Sequence, residues 1–184
     1  MTSIPVIETA RLRLRSYQAA DLPAFLAMWQ EPQFYQHLTG QPATENEVWT
    51  KLLRDTGLWA VCGFGYWAIE EKATNEFLGA VGFANFRRAL TPALGDYPEA
   101  GWVLAPRVHG QGYGAEALTA ALAWCDEHFT QPRTVCIISL ANEPSLRLAA
   151  KLGYREYGRT EFNGAPIVLL ERFGPPQQGA QAVG

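Results

Sequence analysis

Apolar residues along the chain recur with two periods, and each change of period marks an element. Residues 11–16 alternate arginine with leucine, so Leu12 and Leu14 turn inward while Arg11, Arg13 and Arg15 face water. That pattern predicts an edge-type strand with a solvated, charged side. Residues 21–29 carry Leu22, Phe25, Leu26 and Trp29 on one stripe of a short helix. A polar-aromatic loop over 33–41 follows, with Phe34, Tyr35 and His37. Thr44 and Glu47 make a Thr-x-x-Glu capping box that opens a second helix to about Thr56, with Val48, Leu52 and Leu53 inside. Two helices joined by an aromatic loop would wall a substrate pocket or, equally, cover one sheet face as an ordinary hairpin. Residues 66–70 and 77–86 read as paired strands about a turn at 71–76, and the proline-broken segment 90–98 as a loop.

The central signal runs over residues 99–129. Residues 99–105 alternate like a half-buried strand, with Ala100, Trp102 and Leu104 on one face and Glu99, Gly101 and Val103 on the other. Residues 106–112 are a turn ended by glycines. From Tyr113 the period becomes helical, with Leu118, Leu122, Cys125 and Phe129 on one stripe. A strand that passes through a glycine-rich turn into a helix leaves the first N–H groups of the helix free, at the positive end of its dipole. Those donors suit a phosphate or diphosphate. The same glycines also fit a turn that is merely tight. Gly110-x-Gly112-x-x-Ala115 matches the loose dinucleotide fingerprint, but no acidic residue stands about 20 positions on, at the end of a second strand, to hold a ribose. No Gly-Lys-Ser/Thr follows, which excludes a nucleoside-triphosphate P-loop.

Residues 134–139 are β-branched and almost continuously apolar, the mark of a central strand. Asn142 N-caps a last helix, with Pro144 in its first turn and Gly153 just past its end. Residues 154–160 and 167–173 form a closing hairpin about Asn163-Gly164. Residues 174–184 carry no apolar period and read as a disordered tail after one domain over 1–173. Strands and helices mix without regular alternation, so the class is α+β. The strands flanking the central helix should be parallel neighbours within an otherwise antiparallel sheet.

Composition then removes several classes of function. A net charge of −3 gives no electrostatic footprint for nucleic acid. Three scattered cysteines, Cys62, Cys125 and Cys136, argue for reduced thiols in a cytoplasmic protein rather than a disulfide framework. Cys125 and His128 lie one helical turn apart but have no second ligand pair, so core packing rather than a metal accounts for them. No run approaches 18 apolar residues and the N-terminus lacks the apolar core of a signal peptide, which argues against a membrane span or export.

The order of elements, the strand AGWVL, the turn HGQGYGAEAL and the later run NEPSLRLAAKLGYR together resemble the GNAT superfamily of acetyl-CoA-dependent N-acetyltransferases. The pairing of GYGAEA with N-x-x-S-x-x-x-x-x-K-L-G-Y is similar to the RimJ/RimL-like branch, the ribosomal-protein N-terminal acetyltransferases and their relatives. The resemblance covers about residues 8–173. It implies a mixed, mostly antiparallel sheet with a splayed central parallel pair and helices on both faces. It implies acetyl-CoA as co-substrate, with no metal, and an amine acceptor, either a protein N-terminus or a small amine. The turn His109-Gly110-Gln111-Gly112-Tyr113-Gly114 aligns with the family's Gln/Arg-x-x-Gly-x-Gly/Ala, with histidine in place of the usual first residue. The diphosphate of coenzyme A would lie on the amides of residues 110–115, ending at Ala115, while Val103 and Leu104 would pair by backbone with the pantetheine arm. Gly101 fits a bulge or a close backbone approach. Asn142 matches the residue that bonds pantetheine, and Ser145 the hydroxyl near the thioester sulfur. A homodimer is an expectation from the resemblance alone.

Acetyl transfer needs a neutral amine, so a general base is useful. Glu99, at the strand start and facing the same side as Val103, is the candidate base; the alternative is a solvated carboxylate at a strand end. Ser145 is the candidate partner of the departing thiolate; the alternative is a first-turn serine satisfying the backbone. Asp96, Tyr97 and Tyr113 rank behind them, Tyr113 as a structural residue, and Glu116 fits a first-turn carboxylate that complements the dipole. The leading function is direct acetyl transfer to a primary amine without an acyl-enzyme. Its alternative is a non-catalytic acyl-CoA-binding or sensor module of the same fold. An NAD-dependent oxidoreductase fails on element order.

Overall fold

The computed structural model describes residues 4–35, 40–129 and 133–175. The expectations for His37 and for the tail past Pro175 lie outside them. Eight described strands form one sheet in the order β1-β2-β3-β4-β5-β6-β8-β7. They are β1 Ile7–Glu8, β2 Leu12–Arg15, β3 Tyr66–Glu71, β4 Phe77–Ala84, β5 Glu99–Leu104, β6 Arg133–Ser139, β7 Arg155–Phe162 and β8 Ala165–Phe173. Between them lie α1 Leu22–Gln30, α2 Pro32–Tyr35, α3 Glu45–Cys62, α4 Tyr113–His128 and α5 Glu143–Lys151. The α+β class stands, and among the described strands every pairing is antiparallel except β5 with β6.

Helices cover both faces. Phe25, Met28 and Trp29 of α1 and Val48 and Leu52 of α3 pack on one face, over Tyr66, Ala68, Phe77 and Ala80. Ala117, Leu118, Ala121, Leu122 and Cys125 of α4 pack on the other, with Ala149 of α5, over Trp67, Ile69, Val81, Ala100 and Leu104. A third cluster lies where Leu94 of the 85–98 segment meets Val135, Ile167 and Leu169.

Three local readings are corrected. The 11–16 strand is not an edge, because β1 pairs with it on one side and β3 on the other. Its arginines are not simply solvated. Arg15 donates to both Asp21 oxygens at 2.8 Å and to Glu70 at 2.6 Å, and its side chain is only 11% exposed. Alternation shows which residues leave the apolar face, but carries no information about distant carboxylates that wait there. The second helix runs past Thr56 to Cys62 and ends at Gly63 in a left-handed conformation, φ 75°. Gly57 costs helix propensity, but Trp59 beyond it is buried against Trp67 and Trp124, at 4.6 and 5.3 Å between centroids, and donates to Tyr66 O. Tertiary packing overrides the local breaker. Finally, the 33–41 loop begins inside a helical turn, α2.

The parallel pair creates the opening that matters. β5 and β6 register only at Glu99↔Val135, reinforced by Val135 N–H to Pro98 O at 3.0 Å. Beyond that contact the strands part. The turn into α4 follows the end of β5, and the turn into α5 follows the end of β6, so both helix N-termini flank the open end of a V.

Candidate active site

The turn between β5 and α4 is held by contacts far apart in sequence. A short 3-10 turn, Pro106–Val108, leads into Gly110 and Gly112, at φ 75° and 83°. Side chains rarely adopt that conformation, and a Cβ on Gly110 would meet nothing within 4 Å. The glycines therefore serve the backbone path and leave bare main chain facing open space. The α4 ladder starts with Glu116 N–H to Gly112 O at 3.0 Å, so the amides before it lie ahead of the helical bonds. Arg11 clamps the turn, donating from Nη1 to Gln111 O at 3.0 Å and from Nε to Glu116 Oε2 at 2.7 Å. Its guanidinium also lies over the Tyr113 ring at 4.0 Å. Glu116 further accepts from Thr9 Oγ1 and the Arg11 amide. Partial burial raises the Glu116 carboxyl, but the Thr9 and Arg11 donors outweigh it and hold the group below the usual range. Tyr113 donates its hydroxyl to Glu71 and is a structural residue. His109 turns back, its Nε2 2.9 Å from Leu104 O, where it donates an N–H. Histidine in this position ties the turn to the end of β5.

The peptide groups of β5 alternate. Ala105 N–H reaches Leu78 O on β4, while Pro98 O faces β6. Odd positions therefore point their N–H and C=O to β4, and Ala100, Trp102 and Leu104 point theirs into the V. The peptide groups of Val103 are turned to β4, while the N–H of Leu104 points to the opening and its C=O is held by His109, so the expected pair Val103 and Leu104 divides, and Trp102 shares the direction of Leu104. Opposite, Asn142 Oδ1 accepts from Ser145 N at 3.2 Å. The cap is thus made by Asn142, and among the described residues the Ser145 hydroxyl has no hydrogen-bond partner.

Glu99 sits where the V closes. It is 6% exposed, so the solvated strand-end carboxylate does not describe it. Arg88 Nε donates to both its oxygens, at 2.8 and 3.1 Å. It lines a cavity of about 250 Å³ with Phe86, Arg87, Arg88, Leu94, Asp96 and Tyr97. Two residues on, Gly101 makes the close approach its sequence position suggests: a Cβ there would fall on the Tyr66 hydroxyl. Burial, Asp55 and Glu99 all raise Tyr66 above the usual phenol range. Asp96 is exposed and only 4.0 Å from Arg87, while Tyr97 lies under the Arg133 guanidinium, 4.0 Å from its ring centroid.

Cys125 and Cys136 are buried in the core, which pushes the Cys125 thiol up to about 12 and the Cys136 thiol higher still. His128 stacks on Trp124 and bonds its carbonyl at 2.8 Å. Among the described residues no three His, Cys, Asp or Glu side chains gather to hold a metal, and no helix is long and apolar enough to cross a membrane. Arg88, Tyr66 and Arg11 escaped the sequence reading because each acts on a residue remote in sequence. The pair Arg87-Arg88 beside an aromatic was the one local signal available.

Comparison with known proteins places this geometry. The family described as Acetyltransferase (GNAT) domain matches residues 11–155. A solved structure from Bordetella pertussis, assigned to the GnaT family of acetyltransferases, is 34% identical with a TM-score of 0.82, covering 92% of this chain and 99% of that one. The uncharacterized protein YkkB of Bacillus subtilis (strain 168) is 28% identical over 89% of this chain and 93% of its own. The ribosomal L7/L12 α-N-protein acetyltransferase RimL, solved with coenzyme A, shares the fold at a TM-score of 0.74 but only 18% identity, over 92% of this chain and 98% of that one.

Proposed function

Because the chain belongs to the GNAT acetyltransferase family, we propose that it moves acetyl from acetyl-CoA directly to a primary amine. The observation that carries this reading is the V itself: a bare glycine turn at one helix N-terminus, a free serine hydroxyl at the other, and a buried carboxylate at the apex. The amides of residues 110–115 suit the diphosphate. Trp102, and Leu104 through its N–H (its C=O being held by His109), rather than Val103, offer backbone groups to the pantetheine arm, with the Asn142 amide facing it. Acetyl-CoA is thereby laid along the open edge of β5 with its thioester toward Glu99.

The amine nitrogen attacks the thioester carbon and Glu99 takes the proton the nitrogen sheds, directly or through a water. The tetrahedral adduct collapses with cleavage of the C–S bond. The leaving thiolate accepts a hydrogen bond from Ser145 Oγ and is protonated from solvent, giving the acetamide and free coenzyme A. Arg88 positions the Glu99 carboxylate. A protein N-terminus, as for the RimJ/RimL branch, and a small amine both satisfy this chemistry. Their shared fold leaves the branch to experiment. A homodimer in the cytoplasm completes the reading.

The test is turnover of acetyl-CoA over a panel of amines, followed by release of free thiol. Amine-dependent thiol release is expected. Tight coenzyme A binding with no release over any amine would replace the enzyme by an acyl-CoA-binding module.

A further inference from the structure

Five side chains around Glu99 form a unit that acetyl transfer alone does not require. Asp55, on α3 and 4% exposed, is held by Arg54, whose Nε and Nη2 both donate to Asp55 Oδ1 at 2.8 and 2.6 Å. Glu99 is held by Arg88 in the converse manner, one nitrogen, Nε, donating to both carboxylate oxygens. Both arginines lie over one ring, Phe86, at 4.9 and 4.5 Å from its centroid. Phe86 lines the cavity that Glu99 also lines. Tyr66 has its hydroxyl over Gly101, two residues from Glu99, and its pKa is raised by burial and then by Asp55 and Glu99.

The hydrogen-bonding capacity here is lopsided. A guanidinium has five N–H donors. Arg54 spends one donor on each of two nitrogens and Arg88 only its Nε, so among the described residues most donors of both remain unspent. Glu99 is engaged through both oxygens and Asp55 through Oδ1. Lys51, one turn before Asp55, adds a third cation, 4.5 Å over the Trp29 ring and outside any ion pair among the described residues. Burial and the neighbouring Arg54 lower its pKa. An acceptor that reaches Glu99 with its amine thus meets Arg87 and Arg88 in the cavity wall, with Asp96 beside Arg87, and Arg54 over the same Phe86 ring as Arg88, although the whole chain carries −3.

We infer that the acceptor is a small amine carrying its own carboxylate, an amino acid, and that Arg54 and Arg88 hold that carboxylate across the Phe86 ring while the amine faces Glu99. This rests on the acetyl-transfer reading above. Planar guanidinium donors match a carboxylate in a way that a lysine rim would not. A site built to bond a polar group discriminates strongly against the analogue that lacks it.

The experiment compares α-, β- and γ-amino acids with their carboxamides, with kcat/KM expressed per neutral amine so that amine basicity drops out. The wild type should prefer at least one carboxylate over its carboxamide by about 10-fold or more. Arg54→Gln should bring that ratio close to one, the carboxylate losing far more kcat/KM than its carboxamide. Should Arg54→Gln fold poorly with Asp55 left unpaired, the double variant Arg54→Gln, Asp55→Asn removes both charges and should give the same ratio. Equal use of carboxylates and carboxamides by the wild type would overturn the inference and leave acetyl transfer standing. Equal loss on both substrates in the variants would also overturn it. No turnover with any amine would instead remove the transfer reading on which it rests.

Discussion

The two ends of the V are built from different materials. At the α4 end the proposed working groups are main-chain amides, and side chains brace them: Arg11 to Gln111 and Glu116, Tyr113 to Glu71, His109 to Leu104. Toward the cavity the proposed working groups are side chains, Glu99 and Arg88 in its wall and Arg54 over the Phe86 ring, brought from β5, the 85–98 segment and α3. A cofactor that never changes can be gripped by backbone, which tolerates substitution. On the proposed reading, the acceptor that distinguishes one enzyme from its relatives is read by side chains.

That contrast can be broken most severely at the turn. Gly112→Trp forces a bulky side chain into a left-handed backbone position beside Arg11. It should weaken coenzyme A binding by calorimetry at least about 100-fold, roughly 2.7 kcal/mol, whereas Glu99→Gln should leave that affinity unchanged. Equal affinity in both variants would erase the distinction between the two ends.

Glu99→Gln should instead lower kcat/KM for a good amine by about 10²–10⁴-fold. An unaltered rate and pH profile would make Glu99 a structural partner of Arg88. Next in size, Gly101→Ala should destabilise the fold by about 1–3 kcal/mol through overpacking against Tyr66. Tyr66→Phe in the same chain should recover most of that loss in chemical denaturation, and failure to recover would show that some other neighbour supplies the strain.

The smallest effect lies in the brace. Glu116 has a depressed pKa when folded, so its stabilisation is complete above the unfolded carboxylate value, about 4.3, and is lost as pH falls through the folded value. Glu116→Gln should cost about 1–2 kcal/mol at pH 7, discounted for its partial exposure, and little at pH 3. A cost independent of pH would assign the loss to packing instead.

The same division governs what could be read in advance. The α4 turn was legible because glycine spacing, strand alternation and helical period are local, and Asn142, Pro144 and Gly153 announced α5 equally well. Glu99 could be named, but its burial and its bond to Arg88 could not, since they depend on how a loop returns over the sheet. That the peptide groups of Val103 turn to β4 and those of Trp102 away from it was not legible, because backbone direction is fixed by pairing with β4 rather than by the β5 sequence. Helix α3 outran its apparent end through a contact with Trp67 and Trp124 that no local pattern encodes.

The central claim is most directly tested by a crystal structure with coenzyme A bound. The diphosphate should lie on the amides of residues 110–115, with the pantetheine arm along Trp102 and Leu104 and the sulfur between Glu99 and Ser145. A nucleotide bound elsewhere, with that turn closed by side chains, would contradict it.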